Sequence, residues 1–214
     1  MKSGHPLKNS APLILLAVFS LFFSACMGPV QQGPTTVYYT LDYNSPNLEK
    51  LPPVEAYILV DNFSIAPTYN SNRIIYSEGD FMRDTYEYHQ WRANPANMIT
   101  FFLTRDLREA GLFQGVFSKG SRVRPSHTLE GVVSQIYEKD DVENWQAVLS
   151  IDLTLLQNYS DKHNQAVLFQ KNYTAIKDCA KKNPAAFVEA MSAAMREISE
   201  KISLDIYHGV KVKG

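Results

Sequence analysis

Two hydrophobic rhythms run along this chain, and the places where they change mark out the elements of a fold. From Val37 onward, apolar and polar residues alternate in short runs, the period-two pattern of strands with one buried face. Val37–Leu41 is the first such run, rich in β-branched and aromatic residues. Val54–Ile65 follows, with Ala56, Ile58 and Val60 on one face and Pro67 ending it. Arg73–Tyr76 and Asp84–His89 predict a hairpin around Ser77-Glu78-Gly79-Asp80. Leu112–Phe117, Thr128–Glu138, Asn144–Tyr159 and Gln165–Ile176 complete the strands. The clearest alternation is in Asn144–Tyr159: Trp145, Ala147, Leu149, Ile151, Leu153 and Leu155 face one way, Gln146, Ser150, Asp152 and Thr154 the other.

Twice the period lengthens to that of a helix. Asn94-Pro95 supplies a cap and a first-turn proline, and the helix runs to Ala110 with Gly111 as its stop. Met98, Ile99, Phe102, Leu103, Leu107 and Ala110 share one arc of it. Asn183-Pro184 repeats the start, and Phe187, Met191, Ala194, Ile198, Ile202 and Ile206 trace a stripe to Tyr207. The order of elements predicts an α+β fold: a mostly antiparallel sheet with two amphipathic helices packed on one face. One domain, 37–210, accounts for it.

What precedes residue 37 has a different character. Leu13–Phe23 is apolar apart from Ser20, follows the basic Lys2 and Lys8, and ends in Ser24-Ala25-Cys26. The run falls short of the roughly 20 residues a spanning helix needs, and Pro12 interrupts its start. It has the layout of a secretion signal over residues 1–25. A Cys after small residues resembles the lipobox of bacterial lipoproteins, with Phe23 where Leu is usual. That resemblance implies cleavage before Cys26 and acylation, palmitate included, of Cys26. Residues 26–36 become a lipidated Cys and a polar tether, and the chain is expected to be lipid-anchored to a bacterial membrane facing the periplasm. Met27, where Asp would retain an enterobacterial lipoprotein in the inner membrane, directs the expectation to the outer membrane.

Charge and cysteine content narrow the function classes. The 21 basic and 22 acidic residues nearly balance, and the leader takes only basic ones with it, so no basic excess points to nucleic acid. With Cys26 acylated, Cys179 has no internal disulfide partner. His89, His127, His163 and His208 are widely spaced, and no HExxH motif, nucleophile elbow or phosphate-cradling glycine loop occurs. No cofactor, metal site or catalytic residue is therefore expected. Asp106 falls within the apolar arc of the first helix and must be hydrogen-bonded or paired if buried. Two features are candidates for binding. Tyr86, Tyr88 and Trp91 form an aromatic group just before the first helix, a composition common at interfaces. Lys119, Arg122 and Arg124 form a basic loop suited to phosphate or an acidic partner.

The arrangement resembles the ABC-type transport auxiliary lipoprotein family. The residues that carry the resemblance are Tyr38, Tyr39 and Leu41 after a lipobox; Arg73, Ile74, Ile75 and Tyr76; Tyr86, Tyr88 and Trp91; and Gly111, Phe113 and Val116 at the end of the helix. One departure is that Arg92-Ala93-Asn94 follow Trp91, where the family usually has a small residue and an acid. The resemblance implies a non-enzymatic accessory of an ABC-type lipid transport system of the mammalian-cell-entry kind, docking on its substrate-binding protein. The alternatives are an outer-membrane assembly or pilot lipoprotein on a β-barrel or secretin, and a periplasmic hydrolase for which the sequence offers no nucleophile constellation.

Overall fold

A computed structural model describes residues 33–48, 51–141, 143–159 and 165–213. Cys26 and the leader lie outside the described residues. The chain divides into Met1–Thr35 and a body, Thr36–Gly214. Among the described residues of the body, nine strands form one sheet: β1 (Val37–Tyr39), β2 (Val54–Val60), β3 (Ser64–Ile65), β4 (Arg73–Glu78), β5 (Asp84–Trp91), β6 (Phe113–Ser118), β7 (His127–Asp140), β8 (Trp145–Asn158) and β9 (Gln165–Asp178). Two helices, α1 (Pro95–Glu109) and α2 (Pro184–Lys213), complete the α+β fold, with a short 3-10 turn at Pro67–Tyr69. Among the described residues no helix is long and apolar enough to cross a membrane.

Both helices begin as the sequence predicts. The Asn94 side chain accepts from the Ala96 amide at 3.0 Å and Pro95 takes the first helical position. Asn183 accepts from the Ala186 amide at 2.9 Å. Gly111 ends α1 with φ +64°, a left-handed conformation that costs a glycine nothing. All six residues of the predicted α2 stripe are buried, and the helix continues past Tyr207 to Lys213. Helix α1 packs on β3, β6 and β7, α2 packs on β2, β8 and β9, and the two helices touch.

Most paired residues of the sheet are antiparallel, as expected, and parallel pairings join its shorter strands. The two long ladders, β7 with β8 and β8 with β9, are antiparallel as predicted, and so is the β4–β5 hairpin. The other five pairings are parallel: β1–β5, β2–β6, β2–β7, β3–β7 and β4–β7. The chain crosses through α1 between β2 and β6, and such a crossover brings a strand back in the same direction. Three short strands then share one edge of β7 in succession, at Ile58–Val60, Ser64–Ile65 and Tyr76–Glu78, while β8 takes the other edge.

The run read as one strand from Val54 to Ile65 is therefore two, broken at Asp61–Phe63. At the break the Phe63 ring folds over Gly131 of β7. A Cβ at Gly131 would come within 2.6 Å of that ring, so the close approach requires glycine there.

Candidate docking surface

The parallel pairing of β1 with β5 fixes the direction in which β1 runs. Val37 lies opposite His89 and Tyr39 opposite Trp91. Strand β5 runs away from the β4–β5 turn, so β1 does too, and the Val37 end of β1 is the end nearer that turn. The parallel match of Tyr76–Glu78 with Glu138–Asp140 brings the β7–β8 turn to the same end.

Of the aromatic group expected to bind a partner, the three members have different fates. Trp91 is only 2% exposed, its ring 5.9 Å from that of Phe187 at the start of α2. This corrects the expectation for Trp91: a side chain enclosed between sheet and helix has no face left for a partner. Tyr86 is half-buried and donates its hydroxyl to Glu138 Oε1 at 2.8 Å. Tyr88 is partly exposed, and Tyr38 of the adjoining β1, which lies opposite Gln90, is 53% exposed.

Tyr86 is part of a continuous aromatic path from the first strand into the core. Its ring centroid lies 4.9 Å from Tyr76 and 5.5 Å from His89, and His89 Nδ1 is 3.1 Å from the Tyr39 hydroxyl. Beneath the path sits Glu138, fully buried, with Oε2 lacking a hydrogen-bond partner among the described residues. Burial pushes its carboxyl up to about 7, with Asp140 adding to the rise and the Tyr86 hydrogen bond opposing it. Sequence reasoning missed Glu138, because a glutamate between Tyr137 and Lys139 at a strand end carries no local sign of burial.

A folded carboxyl titrating near 7 against an ordinary value of 4.5 makes the folded state bind more protons between those limits. Its contribution to stability is thus present at low pH and is lost as pH rises through 7. Glu138→Gln removes the titration and keeps an acceptor for Tyr86. Relative to the variant, the wild type should lose about 1–3 kcal/mol between pH 4.5 and pH 8. Urea unfolding of both proteins at the two pH values measures this, and parallel pH profiles would contradict it.

Asp106 is tied as a buried carboxylate must be. It accepts from Tyr43 Oη at 2.8 Å, Ser45 Oγ at 2.8 Å, and Arg105 Nε and a terminal guanidinium nitrogen at 2.9 and 2.7 Å. Cys179 is half-buried against the core, its thiol pushed up to about 12 by burial and by the Glu138 and Asp178 carboxylates. Such a thiol holds its proton and is a poor nucleophile. Among the described residues no group of three or more His, Cys, Asp or Glu side chains is placed to hold a metal.

The basic loop lies between β6 and β7, and Lys119 there pairs with Asp61 at 2.8 Å. Leu129, near the start of β7, and Glu138, near the β4–β5 turn, are separated by about 30 Å of strand. The basic loop and the hairpin turn thus occupy opposite ends of β7. An open cleft of about 660 Å³ borders the break after β2, lined by Asp61, Lys119, Glu130, Asp152, Lys171 and Asn172 among others. Most of the residues that line it are polar or charged, and it is open to solvent, unlike the apolar enclosure that binds an acyl chain.

The β4–β5 turn itself carries the most exposed large apolar side chain among the described residues, Phe81, with Met82 beside it; the sequence reading passed over this segment as a plain turn. Phe81 is 98% exposed and Met82 62%. Arg83 braces the turn from within: its guanidinium donates to Ser77 Oγ at 2.7 Å and to the Asp80 and Met82 carbonyls, and lies 4.4 Å from the centroid of the Tyr137 ring.

Comparison with known proteins bears on the whole body. The family model described as the ABC-type transport auxiliary lipoprotein component matches residues 39–203. No curated protein matches the chain. Among solved structures, a Xanthomonas campestris protein of the DUF330 family is similar with a TM-score of 0.74 at 17% identity, covering 82% of this chain and 97% of its own. An uncharacterised protein gives 0.63 at 14% identity, covering 81% and 99%, and a hypothetical protein of Chlamydia trachomatis gives 0.54 at 9%, covering 73% and 98%. At these identities the likeness is one of fold.

Proposed function

This chain belongs to the ABC-type transport auxiliary lipoprotein family, and we propose that it is the lipid-anchored, non-enzymatic accessory of an ABC-type lipid transport system, docking on that system's substrate-binding protein. The observation that carries this reading is the family match, which spans the body from the first strand into the last helix. The lipobox at Cys26 supplies the anchor, and Met27 favours the periplasmic face of the outer membrane.

The side chains that drew attention as possible reactants support an accessory role. Asp106 is saturated by donors, the Cys179 thiol is held protonated, and Asp61 in the polar cleft is paired with Lys119. Catalysis asks instead for a base, nucleophile or metal with a free face toward a substrate. For docking on the substrate-binding protein, the aromatic edge at Tyr38 and Tyr88 replaces the Trp91 of the sequence reading, and Tyr86 holds that edge to the core.

Cys26→Ala tests the anchor. The variant should accumulate as uncleaved precursor or in the soluble fraction, fail to restore transport in a deletion strain, and melt like the wild-type body. A mature Cys26→Ala protein that stays with membranes through a high-salt wash would contradict the reading.

A further inference from the structure

We propose that the β4–β5 hairpin turn is a second membrane contact, with Phe81 and Met82 inserting into the interfacial region of the same leaflet that holds the acylated Cys26. The inference rests on the lipid-anchor reading and adds to it an orientation of the body at the bilayer.

Three observations converge on this occupant. First, the turn presents two large apolar side chains to solvent, Phe81 almost completely, although a folded body of this size has ample core to cover a phenylalanine. Arg83 holds the backbone on the inner side through Ser77, Asp80 and Met82, so the outward display needs no ordering on contact. Second, the Val37 end of β1 is the end nearer this turn. Val37 is level with His89, and the five residues back to Asp84 span about 17 Å along β5. Eleven residues lead from Cys26 to Val37 and reach at most about 36–40 Å. A leaflet that receives the acyl chains is therefore within reach at the level of the turn. Third, the charges flanking the apolar pair are Glu78, Asp80 and Asp84, all exposed, with the Arg83 guanidinium turned back onto Ser77 and Tyr137. Acidic flanks repel anionic headgroups, so the leaflet that fits is one of zwitterionic phospholipid, held by apolar insertion instead of charge. A protein partner is the less fitting occupant, because a lone two-residue tip lacks the surrounding rim that keeps water from an interface anchor.

In this orientation the basic loop at Lys119, Arg122 and Arg124, at the far end of β7, faces away from the anchoring leaflet and toward the aqueous space.

The test uses the full-length, acylated chain reconstituted into phosphatidylcholine–phosphatidylethanolamine vesicles. Phe81→Trp places a reporter at the turn, and Phe101→Trp places one at the 66% exposed position on α1 as a control. Emission of the wild type, which carries Trp91 and Trp145, is subtracted. The Phe81→Trp indole should shift to the blue and lose most of its added emission to lipids brominated along their acyl chains. The Phe101→Trp indole should stay water-like and open to aqueous iodide. Adding phosphatidylglycerol should not strengthen the quenching.

Acyl mass on Cys26 and flotation with the vesicles read the anchor separately. A chain that is acylated and floats, while its Phe81→Trp indole remains water-exposed, would overturn the turn contact alone. A chain that neither carries acyl groups nor floats would overturn both readings. Shielding of the indole that appears without lipid and grows with protein concentration would assign the turn to a second copy and overturn the proposal.

Discussion

Trp91→Ala is expected to destabilise the body by about 3–5 kcal/mol, the usual cost of a large aromatic side chain removed from a core that cannot collapse around the gap. Trp91 ends β5, lies opposite Tyr39 of β1 and packs on Phe187 in the first turn of α2, so the cavity would open where three elements meet. For a body of this size the melting temperature should fall by about 6–20 °C. Any loss of partner binding should follow the amount of folded protein. Phe187→Ala should weaken the same junction, and the double variant should cost less than the two singles added, since both remove one contact. A Trp91→Ala protein that melts like wild type but no longer binds its partner would show that the side chain is a docking anchor after all.

Asp106→Ala should be comparably severe. The carboxylate is 2% exposed and takes four hydrogen bonds, from Tyr43, Ser45 and Arg105. Alanine leaves the half-buried Tyr43 hydroxyl without its acceptor and Arg105 without its counter-ion. Breaking a buried, hydrogen-bonded charge on one side costs about 3–5 kcal/mol. Asp106→Asn keeps the shape and one acceptor, and should cost about 1–3 kcal/mol. Because Tyr43 and Ser45 belong to the segment between β1 and β2, the loss should loosen that segment first, and amide exchange there would report it. Transport per folded molecule should be unchanged in Asp106→Asn. A variant that folds and accumulates normally yet abolishes transport would give Asp106 a direct functional role.

Local chemistry made the helices and long strands legible in the sequence. Asn-Pro pairs start both helices, Gly111 ends the first, and strict alternation marks β8, because caps and side-chain periods act over a few residues. Pairing between distant strands was not legible. Ile58, Ser64 and Tyr76 share one edge of β7 only because the chain crosses through α1 and returns, and the alternating pattern is the same for parallel and antiparallel neighbours. Glu138 was hidden for the same reason: its burial comes from β4 and β5 closing over the end of β7, not from its sequence neighbours.

The docking group was legible in part. Tyr86, Tyr88 and Trp91 lie on one strand, but what each meets is set by the packing of Phe187 and Glu138, more than forty residues away in sequence. Phe81 and Met82 were readable as an apolar pair inside a polar turn. The role proposed for them draws in addition on the register of β1, whose Val37 end is the one nearer that turn.

As the proposed accessory of a lipid-transporting ABC system, this lipoprotein should be recovered together with that system. The most direct measurement is capture of the acylated, full-length chain from detergent-solubilised membranes of its own cells, with mass spectrometric identification of what accompanies it. The substrate-binding protein of an ABC-type lipid transporter should co-purify with the wild type and be depleted with Tyr38→Ala/Tyr88→Ala, a double variant that should melt like wild type. Capture of a β-barrel assembly or secretin component in its place, with no component of an ABC transporter present, would contradict it.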